Sequence, residues 1–525
     1  MNNKTSNKYI RWLILFFILQ TIIANIFIAK GPHVPHRIIM LFLLFFAIKM
    51  VKIASLRVIF SVFLSFIFAA DTTISTLTWL SFDSPFNDGF AISVLGSNAT
   101  EVIDMTGLYI KYFILFLVMF FVFFLKSVKY TPLKRSGIIK TITLAMIIIL
   151  SILSFNYVKN SHGREGKNER TYLLVLSRLS TYLPAFNASY ILTALHQSYF
   201  LESMAGEHPD YHFSIQDTGI DTYVLVIGES ERVENMGIYG YDKDTTPQLA
   251  AQKDNVMLFR HAISGAPTTN LAIPLALSAA TVDNPDLRQY SDNVINIANA
   301  AGFYTSWISA QTAFGSKGAP VTSIAYNAQD KLYLTGYDEK LLVHFKEVLN
   351  RKEKKKFIVL HLYGSHEPQC KRFPASKAIF NEKNDGLAAC YDNSVYYTDS
   401  VLGNIFSLLK DRNASVFYFS DHALEKDESS SIPYFHGGVN PSKEAYKVPM
   451  FIWYSPIVNN TFKGKVIDDW VSTSYNDLLM KSWMGIDSNN DFYPIIKQQT
   501  PANKVLNSAS SILYYPSLRE RFVDE

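Results

Sequence analysis

Several short clusters in the C-terminal two-thirds of this chain carry the groups that a metal-dependent transfer site needs. Glu229 closes the apolar run 224–228. Asp421 and His422 follow the run 415–419 after Ser420. His366 lies in Gly364-Ser365-His366-Glu367-Pro368 after the run 357–362, and His436 opens His436-Gly437-Gly438. Carboxylate and imidazole donors together suit Zn²⁺ better than Ca²⁺ or Mg²⁺, and donors gathered from separate segments describe a catalytic site more than a structural one. Taken singly each is ordinary: Glu229 reads equally as a loop or capping residue, and a lone histidine is more often a hydrogen-bonded surface or core group. A nucleophile belongs beside such a metal. The turn-rich stretch Ser264-Gly265-Ala266-Pro267-Thr268-Thr269-Asn270 precedes helix-like sequence, where backbone N–H groups favour anions and a metal lowers a hydroxyl's pKa. Ser264, Thr268 and Thr269 all qualify, and each is equally readable as a plain N-cap.

The elements that must position these groups are short apolar runs separated by helix-length sequence. Runs at 224–227, 357–362, 415–419 and 450–454 predict strands buried on both faces, hence a mostly parallel sheet covered by helices. Ligands in such sheets sit beyond the carboxyl ends of the strands, where Glu229 and Asp421-His422 fall. Cys370 and Cys390 are the two cysteines of the 525 residues. They read either as one disulfide or as two separate thiols, and an oxidising compartment favours the bridge. The formal charge of +4, without a basic run interleaved with aromatics, argues against a nucleic-acid partner.

The apolar excess lies in the first third. Segments at about 12–29, 37–48, 58–70 with a mixed extension to 80, 109–125 and 138–155 predict five membrane spans, the second and third being short. Three spans with a re-entrant pair are the alternative. Basic residues flank the cytoplasmic ends: Lys4, Lys8 and Arg11; Lys49, Lys52 and Arg57; Lys126, Lys129, Lys134, Arg135 and Lys140. The loop between spans three and four carries Asp83, Asp88, Glu101 and Asp104 without a Lys or Arg. The positive-inside rule then places the N-terminus in the cytoplasm and the polar two-thirds outside. Residues 1–156 read as a transmembrane domain, 157–220 as a connector with interfacial helices, and 221–525 as a soluble domain.

The strings VLVIGESERVENMGIYGYDKDTTPQL, SGAPTTNLAIPLALS, HLYGSHEPQCKRF, CYDNSVYYTDSVLGNIF and FYFSDHALE together resemble the membrane phosphoethanolamine transferases of Gram-negative bacteria, which modify lipid A, lipopolysaccharide core sugars or periplasmic glucans. The resemblance spans essentially the whole chain. It implies an all-α transmembrane domain of about five helices, an alkaline phosphatase/sulfatase-like α/β/α catalytic domain in the periplasm, and Zn²⁺ as cofactor. It implies Glu229, Asp421, His422 and Thr269 as metal ligands, with Thr269 the nucleophile because it lies five residues before Pro274. It further implies His366 and His436 as substrate or second-zinc residues, Lys317 as the basic group near phosphate, and Ser97 and Glu101 as donor contacts. The partners implied are phosphatidylethanolamine as donor, an envelope glycoconjugate as acceptor, and membrane lipids. Two departures matter. The family continues Asp-His with Gly-Glu, whereas Asp421-His422 precedes Ala423-Leu424-Glu425, which removes the warrant for a metal role at Glu425. The single cysteine pair leans away from the lipid A enzymes, towards core sugars or glucans. A sulfatase would need C/S-x-P-x-R, and no such string surrounds Thr269; a phosphoglycerol transferase or an inactive binding module are the other readings.

Overall fold

The structure is a computed structural model that describes residues 43–45, 47–82, 84–96, 106–129, 186–311, 318–427, 433–487, 492–499 and 503–520, with single residues at 145, 148, 152, 173, 176, 177 and 180. The chain divides into two compact units, one of Met1–Leu95 with Ala99–His196 and one of Gly96–Asn98 with Gln197–Glu525.

In the first unit, helices α1 (Ala54–Phe82) and α2 (Thr106–Ser127) contain the segments long and apolar enough to cross a membrane among the described residues. They correspond to the expected spans three and four; the first lies wholly, the fifth almost wholly and the second partly outside the described residues. Span three is longer than its apolar run because α1 absorbs the polar residues Asp71, Thr72, Thr73, Ser75 and Thr76 into one 29-residue helix. Hydroxyl side chains tolerate this by bonding back along the helix, as Thr76 Oγ1 does to the Thr72 carbonyl at 2.8 Å. The helices run antiparallel. Arg57, expected in a loop, sits in the first turn of α1 and donates from Nε to the Val128 carbonyl beyond the end of α2 at 2.7 Å, while Ser81 and Tyr112 hydroxyls meet at the opposite ends at 2.9 Å. Phe68 stacks on Phe123 at 4.8 Å in the seam. The outward faces expose Phe60, Phe63, Phe66, Phe113, Ile114 and Phe121, an apolar surface suited to lipid.

The second unit holds an eight-stranded sheet: β1 (Thr222–Gly228), β2 (Val256–Ile263), β3 (Tyr304–Ser309), β4 (Asp330–Tyr333), β5 (Lys356–His361), β6 (Ala414–Ser420), β7 (Met450–Tyr454) and β8 (Val466–Ser472). Their order across the sheet is β8-β2-β7-β6-β1-β5-β3-β4. Every pairing is parallel except those of β7, which runs antiparallel between β2 and β6. The sheet is therefore mixed. A buried apolar run shows where a strand lies but carries no direction, so β7 was legible as a strand and not as a reversed one.

Side chains alternate across β1. Tyr223, Leu225 and Ile227 enter one core with residues of α3 (Thr269–Leu277) and the helix Asn476–Trp483. Val224 and Val226 enter the other, with the helix Leu341–Leu349 and α4 (Glu382–Leu409). Both faces are covered, giving the α/β/α sandwich. Cys370 and Cys390 form a disulfide with a Cα–Cα distance of 4.7 Å, tying the loop after β5 to α4. Closing a loop of that size stabilises the fold by about 3 kcal/mol in the chain-entropy picture.

Candidate active site

Register decides which side chains meet. β1 lies centrally between β5 and β6, with Ile227 level with His361 on one side and Gly228 level with Ser420 on the other. The next residues, Glu229 and Asp421, therefore emerge side by side, and His422 follows. All three are fully buried. Ser230 then takes a left-handed φ of 60°, a strained state for a residue with a Cβ. It is held there by its Oγ donating to Glu229 Oε1 at 2.6 Å, its N–H to Asp421 Oδ1 at 3.2 Å, and Tyr391 donating to its carbonyl at 2.6 Å.

Thr269 begins α3 as its first residue, after Thr268 at the N-cap. Its Oγ1 lies 3.1 Å from Glu229 Oε2 and 3.3 Å from His422 Nε2. His422 Nε2 is in turn 3.3 Å from Glu229 Oε1 and 3.5 Å from Asp421 Oδ2. His422 Nδ1–H donates to the Ala423 carbonyl at 3.0 Å, which leaves Nε2 facing the cluster as a metal-ligating tautomer requires. Of the three candidate hydroxyls, Ser264 instead bonds the Asp421 and Ala266 carbonyls, and Thr268 Oγ1 makes no hydrogen bond among the described residues.

The residues fit a cation. Asp421 Oδ2 is buried without a hydrogen-bond partner among the described residues, and ligand atoms of Glu229, His422 and His436 lie within 4.8 Å of one another. Charges tell the same story. Burial raises the Glu229 carboxyl, but the hydrogen bond and charge of His422, the charge of His366 and the Ser230 bond outweigh it and hold it well below its usual range. Burial and the Glu229 charge push Asp421 up, against the pull of His422. Burial alone would lower His422, yet the Asp421 and Glu229 carboxylates raise it. Protons thus gather where two buried carboxylates need positive charge, a role that a bound metal would take over.

His436 stands with its ring 4.7 Å from that of His422 and 6.2 Å from that of His366, so the expected histidine pair borders the cluster. Gly437 lets this loop close in: a Cβ there would come within 2.9 Å of Pro267 and 2.8 Å of Ala445. The His366 loop is anchored by buried Asp338, which accepts the N–H groups of Tyr363 at 2.7 Å and Gly364 at 3.0 Å. Glu425 is buried and accepts the Ser442 N–H at 3.0 Å; it supports the His436 loop. Lys317, Ser97 and Glu101 lie outside the described residues. Gln311, which carries no motif, was not expected: it follows β3 and donates to Glu229 Oε2 at 2.9 Å.

Residues 221–485 match the sulfatase family, and residues 2–205 match the family described as transferase YhbX N-terminal domain. The chain is 40% identical over 534 residues to the putative transferase YhbX of Escherichia coli K12, covering 99% of this chain and 97% of that one. It belongs to the sulfatase-type phosphoethanolamine transferase family. Within that family it is 31% identical over 261 residues to phosphoethanolamine transferase EptC of Escherichia coli K12, covering 45% of each chain. The phosphoethanolamine transferase family fold extends to the solved structure of EptA from Neisseria meningitidis, an integral membrane lipooligosaccharide phosphoethanolamine transferase, at a TM-score of 0.62 and 18% identity over 82% of this chain and 85% of that one. The periplasmic domain of E. coli EptC, solved in complex with Zn, gives 0.53 at 24% identity over 59% and 98%.

Gly228 leaves no room for a side chain. A Cβ there would collide with the ring and hydroxyl of Tyr418, which is itself buried and bonded to Glu231. Gly228→Ala is expected to destabilise the domain by about 1–3 kcal/mol and to displace Glu229, read out as a lower melting temperature together with reduced metal content.

Proposed function

We propose that this chain transfers phosphoethanolamine from phosphatidylethanolamine to a cell-envelope glycoconjugate, with a lipopolysaccharide core sugar or periplasmic glucan favoured over lipid A, through a covalent adduct on Thr269. The observation that carries this reading is the position of Thr269 Oγ1, at a helix start and within 3.3 Å of both Glu229 and His422. Glu229, Asp421 and His422, with Thr269, would hold Zn²⁺, the cation whose preferences match a mixed oxygen and imidazole set. Bound there, zinc would lower the hydroxyl's pKa and neutralise phosphoryl charge.

The chain's own residues do the rest. Thr269 Oγ bonds to phosphorus as the bond to the glycerol oxygen breaks; its proton departs, and diacylglycerol leaves with a proton taken up on that oxygen. An acceptor oxygen then displaces Thr269, which regains its proton. The N–H groups at the start of α3 favour the phosphoryl oxygens, and His366, His436 and Lys317 orient and neutralise them. Ser97 and Glu101 contact the donor. A five-span anchor, N-terminus in the cytoplasm, would hold the domain at the periplasmic face of the inner membrane, near the donor lipid. A phosphoglycerol transferase would use the same nucleophile, and the donor separates the two. Incubating the purified full-length protein with phosphatidylethanolamine should add one phosphoethanolamine to the tryptic peptide containing Thr269. An adduct elsewhere, or none, would sink the reading.

A further inference from the structure

Glu229 is clamped from more sides than a loop carboxylate needs, and one clamp comes from a strand with no other part in the site. Gln311 stands two residues beyond β3. Its Nε2 spends one proton on Glu229 Oε2 and the other on the Leu362 carbonyl, both at 2.9 Å. Leu362 opens the loop that carries His366, so one amide ties the carboxylate to the start of that loop. Gln311 is itself set in place. Its N–H donates to Ser309 Oγ at 3.1 Å, that hydroxyl donates to the Gln311 carbonyl at 2.8 Å, and the same Oγ lies 3.1 Å from Nδ1 of buried His361. The main chain of Glu229 is fixed independently by the Ser365 N–H at 2.9 Å, an approach possible because Gly364 has no Cβ.

We infer that Gln311 is a positioning residue for Glu229: its amide holds Oε2 towards Thr269, so that Oε1 faces His422, and thereby sets both metal affinity and the orientation of the nucleophile. Glu229 Oε2 accepts from two donors, Gln311 and Thr269. Without the amide the carboxylate can rotate, and the ligand and the Thr269 hydroxyl lose their common reference. Partners that orient a metal ligand in this way typically change metal affinity by about 10- to 100-fold when removed. The inference rests on the zinc-transferase reading, but zinc binding can be measured without any substrate.

The test uses the full-length protein in detergent, with zinc dissociation constants obtained by competition with a chromogenic chelator. Gln311→Met keeps length and removes both donors; Gln311→Glu keeps shape and replaces the donor with an acceptor. Both are expected to weaken zinc binding by about 10-fold or more. At saturating zinc, both should lower kcat for acceptor-free cleavage of phosphatidylethanolamine while leaving KM within about twofold, because the clamp touches Glu229 and acts on the nucleophile through it, not on the lipid. The melting temperature of the zinc-free protein should stay near wild type. Wild-type zinc affinity in Gln311→Met, a lowered zinc-free melting temperature with unchanged affinity, or a wild-type protein that binds no zinc would each overturn the inference. Weakened zinc binding in a protein that transfers no phosphoethanolamine would leave the inference standing and overturn the proposed function instead.

Discussion

Thr269→Ala should abolish the covalent adduct and lower transfer by about 10³-fold or more, while zinc affinity falls far less. Nucleophile removal in enzymes that work through a covalent intermediate costs this much because water and the remaining electrostatics must replace a whole step. The fold should tolerate the change. Thr269 is half-buried, its hydroxyl bonds, among the described residues, to members of the cluster, and alanine is a good helix former at the first position of α3. Thr269→Ser, which keeps the hydroxyl and loses a methyl, should retain transfer within about tenfold. Steady-state transfer by mass spectrometry, paired with intact-protein mass, checks both. Transfer by the alanine variant within tenfold of wild type would remove Thr269 from the mechanism.

Removing the metal should lower the melting temperature, and more at pH 8 than at pH 6. The sign follows from the protons that the metal-free cluster retains. The Asp421 carboxyl is raised above its ordinary value by burial and by Glu229, so the metal-free folded state is favoured at low pH, where that proton is bound. It loses stability as pH rises through the raised pKa. Bound zinc would remove the need for the proton, and its binding would strengthen as pH rises because protons would no longer compete. With zinc at about 100 times its Kd, linkage stabilises the fold by about 2.7 kcal/mol, or roughly 5 °C in a domain of this size. Calorimetric scans with and without chelator at the two pH values test this. An equal or smaller gap at pH 8 would mean that Asp421 is not where the metal's charge is taken up.

How much of this was legible in the sequence depended on whether a residue's type matched its job. β1, β5, β6 and β7 read plainly because they are uninterrupted apolar runs. β3, Tyr304–Ser309, hides because Thr305, Ser306 and Ser309 are buried hydroxyls satisfied by local partners. β8 hides because its register with β2 shifts between Ile467 and Trp470, spanning Asp468 and Asp469, which breaks the alternation a strand should show. The candidate ligands Glu229, Asp421 and His422 follow the ends of legible strands, which is why the sequence pointed to them. Thr269 was separated from Ser264 and Thr268 only by family pattern, since all three are hydroxyls beside one turn. The structure separates them by what each touches. Gln311 left no trace: a neutral amide after an unread strand carries no spacing, charge or periodicity to mark it.

The polarity of the sheet has a practical consequence for handling this protein. β5 carries the His366 loop at one end, and at the other it is preceded by Arg351, Lys352 and Lys354, all exposed to solvent. Six residues of strand separate the two ends, about 20 Å. A small fluorophore or affinity handle attached at Lys352 or Lys354 therefore reports on, or captures, the intact enzyme from the pole that takes no part in its chemistry.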